Sequence, residues 1–234
     1  MSLQVAASGI GTLREKHLHA TLKRWYARPG DRAEVAVDGY VIDLVRDDLL
    51  IEIQTRGFSE LRPKGTALLA AGHRLRIVHP IAVDRWIVRV DPDGTFLGRR
   101  RSPSHGDLAD LAPALVSIPD LLAHPGFEIE VLLTADEEYR RHEAGRCWRR
   151  RGWTVVERRL VDVVDRVLLA QPRDLLRLLP DGLPERFTTT DIALGLGRPP
   201  RIAQQVAYCL RRLGLIEVVG KRGRAVEYQV AERE

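Results

Sequence analysis

Residues 39–58, GYVIDLVRDDLLIEIQTRGF, constrain this chain more than any other stretch. Two β-type runs meet at Asp47 and Asp48. If those two residues form a tight turn, cross-strand partners sum to 95, so Asp43 lies opposite Glu52 and Val41 opposite Gln54. Strand side chains alternate, which puts Glu52 and Gln54 on one face and Ile42, Leu44, Ile51 and Ile53 on the other. Directly opposed side chains have Cβ atoms roughly 4.5–5.5 Å apart, and like charges there repel. A slip of one residue would separate the two carboxylates onto opposite faces. A hard divalent cation relieves such repulsion, because Mg²⁺ takes oxygen ligands and is often held by one or two carboxylates. The competing reading is an exposed acidic pair balanced by Arg46 or Arg56.

Around the hairpin, Leu18, Leu22 and Trp25 place an apolar stripe on a helix over 12–27. Strands are expected at 33–37, 40–46 and 49–55, a helix at 58–72, and strands at 74–79 and 85–90. That order describes a small α/β unit with a mixed sheet. The following stretch is expected to hold helices at 107–124 and 136–151, strands at 128–133 and 153–164, and a short helix at 172–179. Polar, Gly- and Pro-bearing breaks at 98–107 and 180–191 divide the chain into residues 1–97, a mixed connector at 98–184, and a last module at 185–234.

The order of a helix bearing Glu15, then Ile42 and Asp43, then Glu52, Ile53 and Gln54, then a further helix, resembles the PD-(D/E)xK nuclease superfamily, the fold of many restriction endonucleases. The resemblance covers roughly residues 12–90. It implies a restriction-endonuclease-like mixed sheet flanked by helices, with Asp43 and Glu52 binding Mg²⁺ or Mn²⁺ and Glu15 joining the site. At the place of the motif lysine stands Gln54, which can hold a water but brings no positive charge. Lys64, on the following helix, is the first candidate to supply that charge, and Arg56 is the second. The expected catalytic set is Glu15, Asp43, Glu52, Gln54 and Lys64.

Residues 187–230 read as helix, turn, helix and hairpin. Thr190 or Asp191 suits a helix start, Gly195 and Gly197 its end, and Pro199 and Pro200 the first turn of the next helix. Ile202, Val206, Cys209, Leu210 and Leu213 form that helix's core stripe, leaving Arg198, Arg201, Gln204, Gln205, Tyr208, Arg211 and Arg212 facing outward. Leu215 to Val219 and Ala225 to Val230 flank a basic segment, GKRGR. The pattern resembles the winged helix-turn-helix domains of bacterial regulators. Arginine and glutamine suit base edges in the major groove. Lys221, Arg222 and Arg224 suit phosphates.

Charge supports that placement. Residues 186–234 hold 9 Lys/Arg against 5 Asp/Glu, which accounts for most of the chain's net +5. No apolar run approaches the roughly 18 residues of a membrane span, and no secretory leader is evident, so a cytoplasmic location is expected. Cys147 and Cys209 are too far apart in sequence to suggest a zinc site or disulfide framework. There is no GxxxxGK[ST] loop and no GxSxG elbow, which leaves nucleotide hydrolysis and esterase chemistry without support. The expected function is a metal-dependent DNA endonuclease targeted by its own winged helix. The alternative is a DNA-binding regulator or adaptor with an inactive nuclease fold. DNA versus RNA and a homodimer are left open.

Overall fold

The computed structural model describes residues 10–143 and 152–231, with side chains from His17 onward. No helix among them is long and apolar enough to cross a membrane. The fold is mixed α/β. Its larger sheet runs in the order β1-β2-β3-β4-β6-β7, with β5 pairing β4. The strands are β1 (Arg32–Val37), β2 (Tyr40–Arg46), β3 (Leu49–Ile53), β4 (Arg74–Val90), β5 (Phe96–Arg101), β6 (Phe127–His142) and β7 (Trp153–Leu169). The chain divides into two compact units, residues 1–27, 82–105 and 133–165 in one, and 28–81, 106–132 and 166–234 in the other. These units follow different lines from the expected boundaries at 97/98 and 184/185, because β4, β6 and β7 run through both.

In the first unit, helix α1 (Ile10–Tyr26) buries Leu18, Leu22 and Tyr26. Successive steps of four stay on one helical face, so Tyr26 continues the stripe in place of the expected Trp25, which is 42 % exposed. The helix expected over 136–151 is not found where that range is described: residues 136–142 belong to β6, and 144–151 lie outside the described residues. Burial alternates there with period two, Thr134, Asp136 and Glu138 being buried between half-buried neighbours. The run of charges gives the segment a helical look in sequence. Glu138 is compensated in place by Arg140 at 2.6 Å and Arg158 at 3.3 Å.

The second unit carries the hairpins. Asp38 and Gly39 both take positive φ, 48° and 82°, as a tight β1–β2 turn requires. The β2–β3 register is Leu44↔Ile51, Val45↔Leu50 and Arg46↔Leu49, so every pair sums to the expected 95. Asp47 takes the left-handed φ of 52° that closes this turn. β3 then pairs with β4 in parallel, which demands a crossover. Helix α2 (Arg62–Ala70) supplies it. The strands expected at 74–79 and 85–90 are one continuous β4. Pro80 lies beyond Val78, the last β3 partner, so its missing N–H costs no β3–β4 bond.

The helix expected over 107–124 is broken into a 3₁₀ turn at Leu108–Leu111, α3 (Ala112–Leu115) and α4 (Pro119–Leu122), as Pro113 and Pro119 dictate. The carboxy-terminal elements are β8 (Phe187–Thr188), α5 (Thr189–Leu196), α6 (Pro200–Arg212), β9 (Ile216–Arg222) and β10 (Ala225–Val230), with a small sheet ordered β8-β10-β9. Thr188 caps α5 in a reciprocal box with Asp191, two or three residues earlier than expected. Gly197 ends the helix at φ 61°, and Pro200 opens α6. Ala203, Val206, Ala207, Cys209 and Leu210 form the buried side of α6, while Ile202 and Leu213 are half-buried. Within GKRGR only Gly223 and Arg224 make the turn, since β9 runs to Arg222.

The α5–α6 connection is fastened to the 107–111 turn by Arg198, whose Nε donates to Asp107 Oδ2 at 2.8 Å and Nη2 to Asp110 Oδ2 at 2.9 Å. The arginine is largely buried, so the pair belongs to the stability of this unit. Arg198→Ala is expected to cost about 1–3 kcal/mol, the range for charge-assisted hydrogen bonds, in urea unfolding. Arg201→Ala, on the exposed side of α6, is expected to stay within about 0.5 kcal/mol of the parent.

Candidate active site

The β2–β3 backbone ladder stops at Leu44↔Ile51, and the side chains of the next pair take over its hydrogen bonds. Ile53 N donates to Asp43 Oδ2 at 2.9 Å, and Asp43 N donates to Glu52 Oε1 at 3.3 Å. Each carboxylate thus accepts an amide from the opposite strand, and the two are held against each other. Every residue of β3 is buried, with Glu52 only 5 % exposed. The exposed-pair alternative therefore fails for Glu52.

The charge is met by Lys64. Its Nζ lies 2.6 Å from Glu52 Oε1 and 2.6 Å from the carbonyl oxygen of Val41. Lys64 sits at the third position of α2, and the crossover that parallel pairing requires brings that first turn over the hairpin. The structure thus brings Asp43, Glu52 and Lys64 together. Burial pushes the Glu52 carboxyl above its ordinary range, the Lys64 ammonium pulls it down, and the Asp43 charge adds a further upward push.

Gln54 is fixed through its backbone. Its N–H donates to Val78 O at 2.9 Å, and its carbonyl accepts from His79 Nδ1 at 2.6 Å. His79 packs edge-on to Phe58, with ring centroids 5.1 Å apart, and burial drives its pKa down, so it donates as a neutral imidazole. Sequence reasoning passed over His79. Its one signal was a place on the strand after β3, where a parallel neighbour of the motif is expected. Arg56 is exposed on the loop before α2. Glu15 lies on α1, but its side chain is outside the described residues.

As a cation seat, the arrangement offers oxygen alone: two carboxylates and the Val41 carbonyl. An ammonium already rests on two of those atoms at 2.6 Å, which suits a hard cation. Among the described residues, no group of three or more His, Cys, Asp or Glu is disposed to hold a metal. Among the described residues, the arrangement that could hold a cation brings together two carboxylates, Asp43 and Glu52.

The residues expected to meet DNA divide. Arg201, Gln204, Tyr208, Lys221 and Arg224 are exposed. Arg198 is engaged with Asp107 and Asp110, and the Oε1 atom of Gln205 is buried without a hydrogen-bond partner. Arg222 is exposed but bonds Asp191 at 3.0 Å, Glu227 at 2.8 Å and the carbonyl of Arg186. Cys209 is buried, which pushes its thiol up to about 12, and Cys147 lies outside the described residues.

Residues 16–170 match the family described as "Domain of unknown function (DUF8091)". The chain belongs to that family. The DUF8091 match takes in the hairpin, α2 and all seven strands of the large sheet, and it ends before α5 and α6. An "Uncharacterized protein" of Treponema pallidum (strain Nichols) is 29 % identical over 222 residues, covering 94 % of this chain and 87 % of the relative. Coverage of that extent is reached only if α5 and α6 are included. No solved structure matches the chain.

Lys64→Ala leaves Glu52 buried without its ammonium. At pH 8 this is expected to destabilise the protein by about 3 kcal/mol, the scale for stripping one partner from a buried pair. Glu52 has a folded pKa above its unfolded one, so its contribution is fully present below the unfolded value and is lost as pH rises through the folded value. Removing Lys64 raises the folded value further, so the loss should shrink between pH 8 and pH 5. Urea midpoints at the two pH values measure this, and an equal loss at both would contradict the assignment.

Proposed function

We propose that this DUF8091 protein is a metal-dependent nuclease acting on DNA, with Asp43 and Glu52 as the metal seat and Lys64 as its cation. One observation carries the reading: Lys64 reaches from α2 onto Glu52 at 2.6 Å, beside Asp43, supplying the charge that Gln54 lacks. A lysine moved from strand to helix in this way suits the PD-(D/E)xK resemblance. When bound, Mg²⁺ or Mn²⁺ lowers the pKa of a water and neutralises phosphate charge.

The chain's own residues have separate tasks. Asp43 and Glu52 converge on one point because the hairpin register opposes them. Lys64 stabilises negative charge building on the phosphate. Its ammonium bridges Glu52 and the Val41 carbonyl, while Asp43 and Glu52 would hold the cation. Gln54 is anchored by Val78 and His79, which fixes where its amide can hold a water.

The resemblance of the carboxy-terminal elements to a winged helix supplies the targeting part of the proposal. The exposed stripe of Arg201, Gln204, Tyr208 and Arg211 on α6 supports it, since these residues repeat at helical spacing on one side. The alternative of a regulator with an inactive nuclease fold draws on Gln54 and on a seat of two carboxylates among the described residues.

The test is cleavage of duplex DNA with Mg²⁺ or Mn²⁺. Asp43→Ala and Glu52→Ala are each expected to abolish it. Lys64→Ala is expected to reduce it about 10²–10³-fold, the scale for one electrostatic stabiliser. Arg56→Ala is expected to do little. Cleavage that survives loss of both carboxylates sinks the site. An inert parent that Gln54→Lys renders active establishes the regulator alternative.

A further inference from the structure

Asp120, on α4, stands between two arginines from distant parts of the chain. Arg62 Nη2 lies 2.9 Å from its Oδ2, and Arg212 Nη2 lies 3.6 Å from its Oδ1. Arg62 opens α2, two residues before Lys64, and Arg212 closes α6. We propose that Asp120 occupies the seat of a DNA backbone phosphate, which displaces it and bridges Arg62 and Arg212. The inference rests on the DNA-binding part of the proposed function and names where on the second unit the duplex lies.

Four observations carry it. First, both guanidinium groups reach one carboxylate, so a single anion of similar size and oxygen spacing can bridge them, and guanidinium forks suit phosphate as well as carboxylate. Second, two guanidinium groups face one carboxylate, leaving a net positive site. Third, the trio is open to solvent, with Arg62, Asp120 and Arg212 at 56 %, 60 % and 54 % exposure. Ion pairs so exposed contribute little and exchange readily for a better anion. Fourth, the surface continues on α6, where Arg211, Tyr208, Gln204 and Arg201 are exposed in a stripe running back from Arg212. An anion at Asp120 would thus lie between the last turn of α6 and the helix whose Lys64 rests on Glu52.

Packing fixes Asp120 in that position. A Cβ on Gly65 would lie 2.9 Å from Leu121 Cδ1, so the glycine allows α4 to approach α2 closely. Leu121 is buried in that contact, which turns its neighbour Asp120 outward. The acid is held beside Arg62 by the same contact that seats α2.

The test uses the full chain and a labelled 20-base-pair duplex in Ca²⁺ without Mg²⁺ or Mn²⁺, with affinity measured across a salt series. Asp120→Asn is expected to tighten binding roughly threefold to tenfold, the range for releasing two exposed ion pairs. Removing both arginines (Arg62→Ala with Arg212→Ala) should weaken binding and reduce the log–log salt slope by about 0.9 for the phosphate lost. In that background Asp120→Asn should have no effect. Unchanged affinity in Asp120→Asn overturns the inference. So does a gain that persists without the arginines, which marks simple charge repulsion, and so does a parent that binds no duplex at low salt. Cleavage is scored separately, so binding that follows the expected pattern in a chain that never cleaves overturns the nuclease reading alone.

Discussion

Two carboxylates pressed together inside a hairpin set the terms for the structure around them. A buried Glu52 beside the half-buried Asp43 cannot be ionised cheaply without a nearby positive charge, and a buried unpaired charge is among the costliest defects a fold can carry. The protein meets this with hydrogen bonds from the opposite strands and with one ammonium. That ammonium comes from α2, because β3 carries no basic side chain and Gln54, just beyond it, brings no charge. The crossover between two parallel strands is therefore also the element that makes the carboxylate pair tenable.

Much of this was legible in the sequence, for a physical reason. A hairpin with a two-residue turn has one free variable, its register, and alternation of polar and apolar residues fixes it. The sum of 95 follows from nothing more. Lys64 could be ranked ahead of Arg56 because a helix directly after the strand brings its first turn back over it. The buried stripe of α1 was misread by one residue, since Trp25 and Tyr26 are both aromatic and only the packing decides between them.

Other features had no local signal. β6 carries Thr134, Asp136, Glu138 and Arg140 at alternate positions, a pattern that helix-like composition conceals, and the arginines that compensate Glu138 include one on another strand. Arg198 looks in sequence like any exposed cation on a basic module. Its partners, Asp107 and Asp110, lie some 90 positions away, and pairing over such a distance leaves no periodicity to read. The same holds for Asp120, a single acidic letter that acquires meaning only when Arg62 and Arg212 are found on either side of it.

The first turn of α2 ties these parts together. Arg62, Lys64 and Gly65 lie within four residues, yet each meets a different neighbour: Asp120, Glu52 and Leu121 in turn. A helix held at three adjacent points by an ion pair at the surface, an ion pair in the core and a close apolar contact has little freedom to turn or slide. The Gly65 contact with Leu121 and the Lys64 contact with Glu52 fall on adjacent residues of the same turn. The surface trio and the carboxylate pair thus share a single helical turn. The hairpin needs the lysine, and α4 and its aspartate sit where the lysine's helix is steadied.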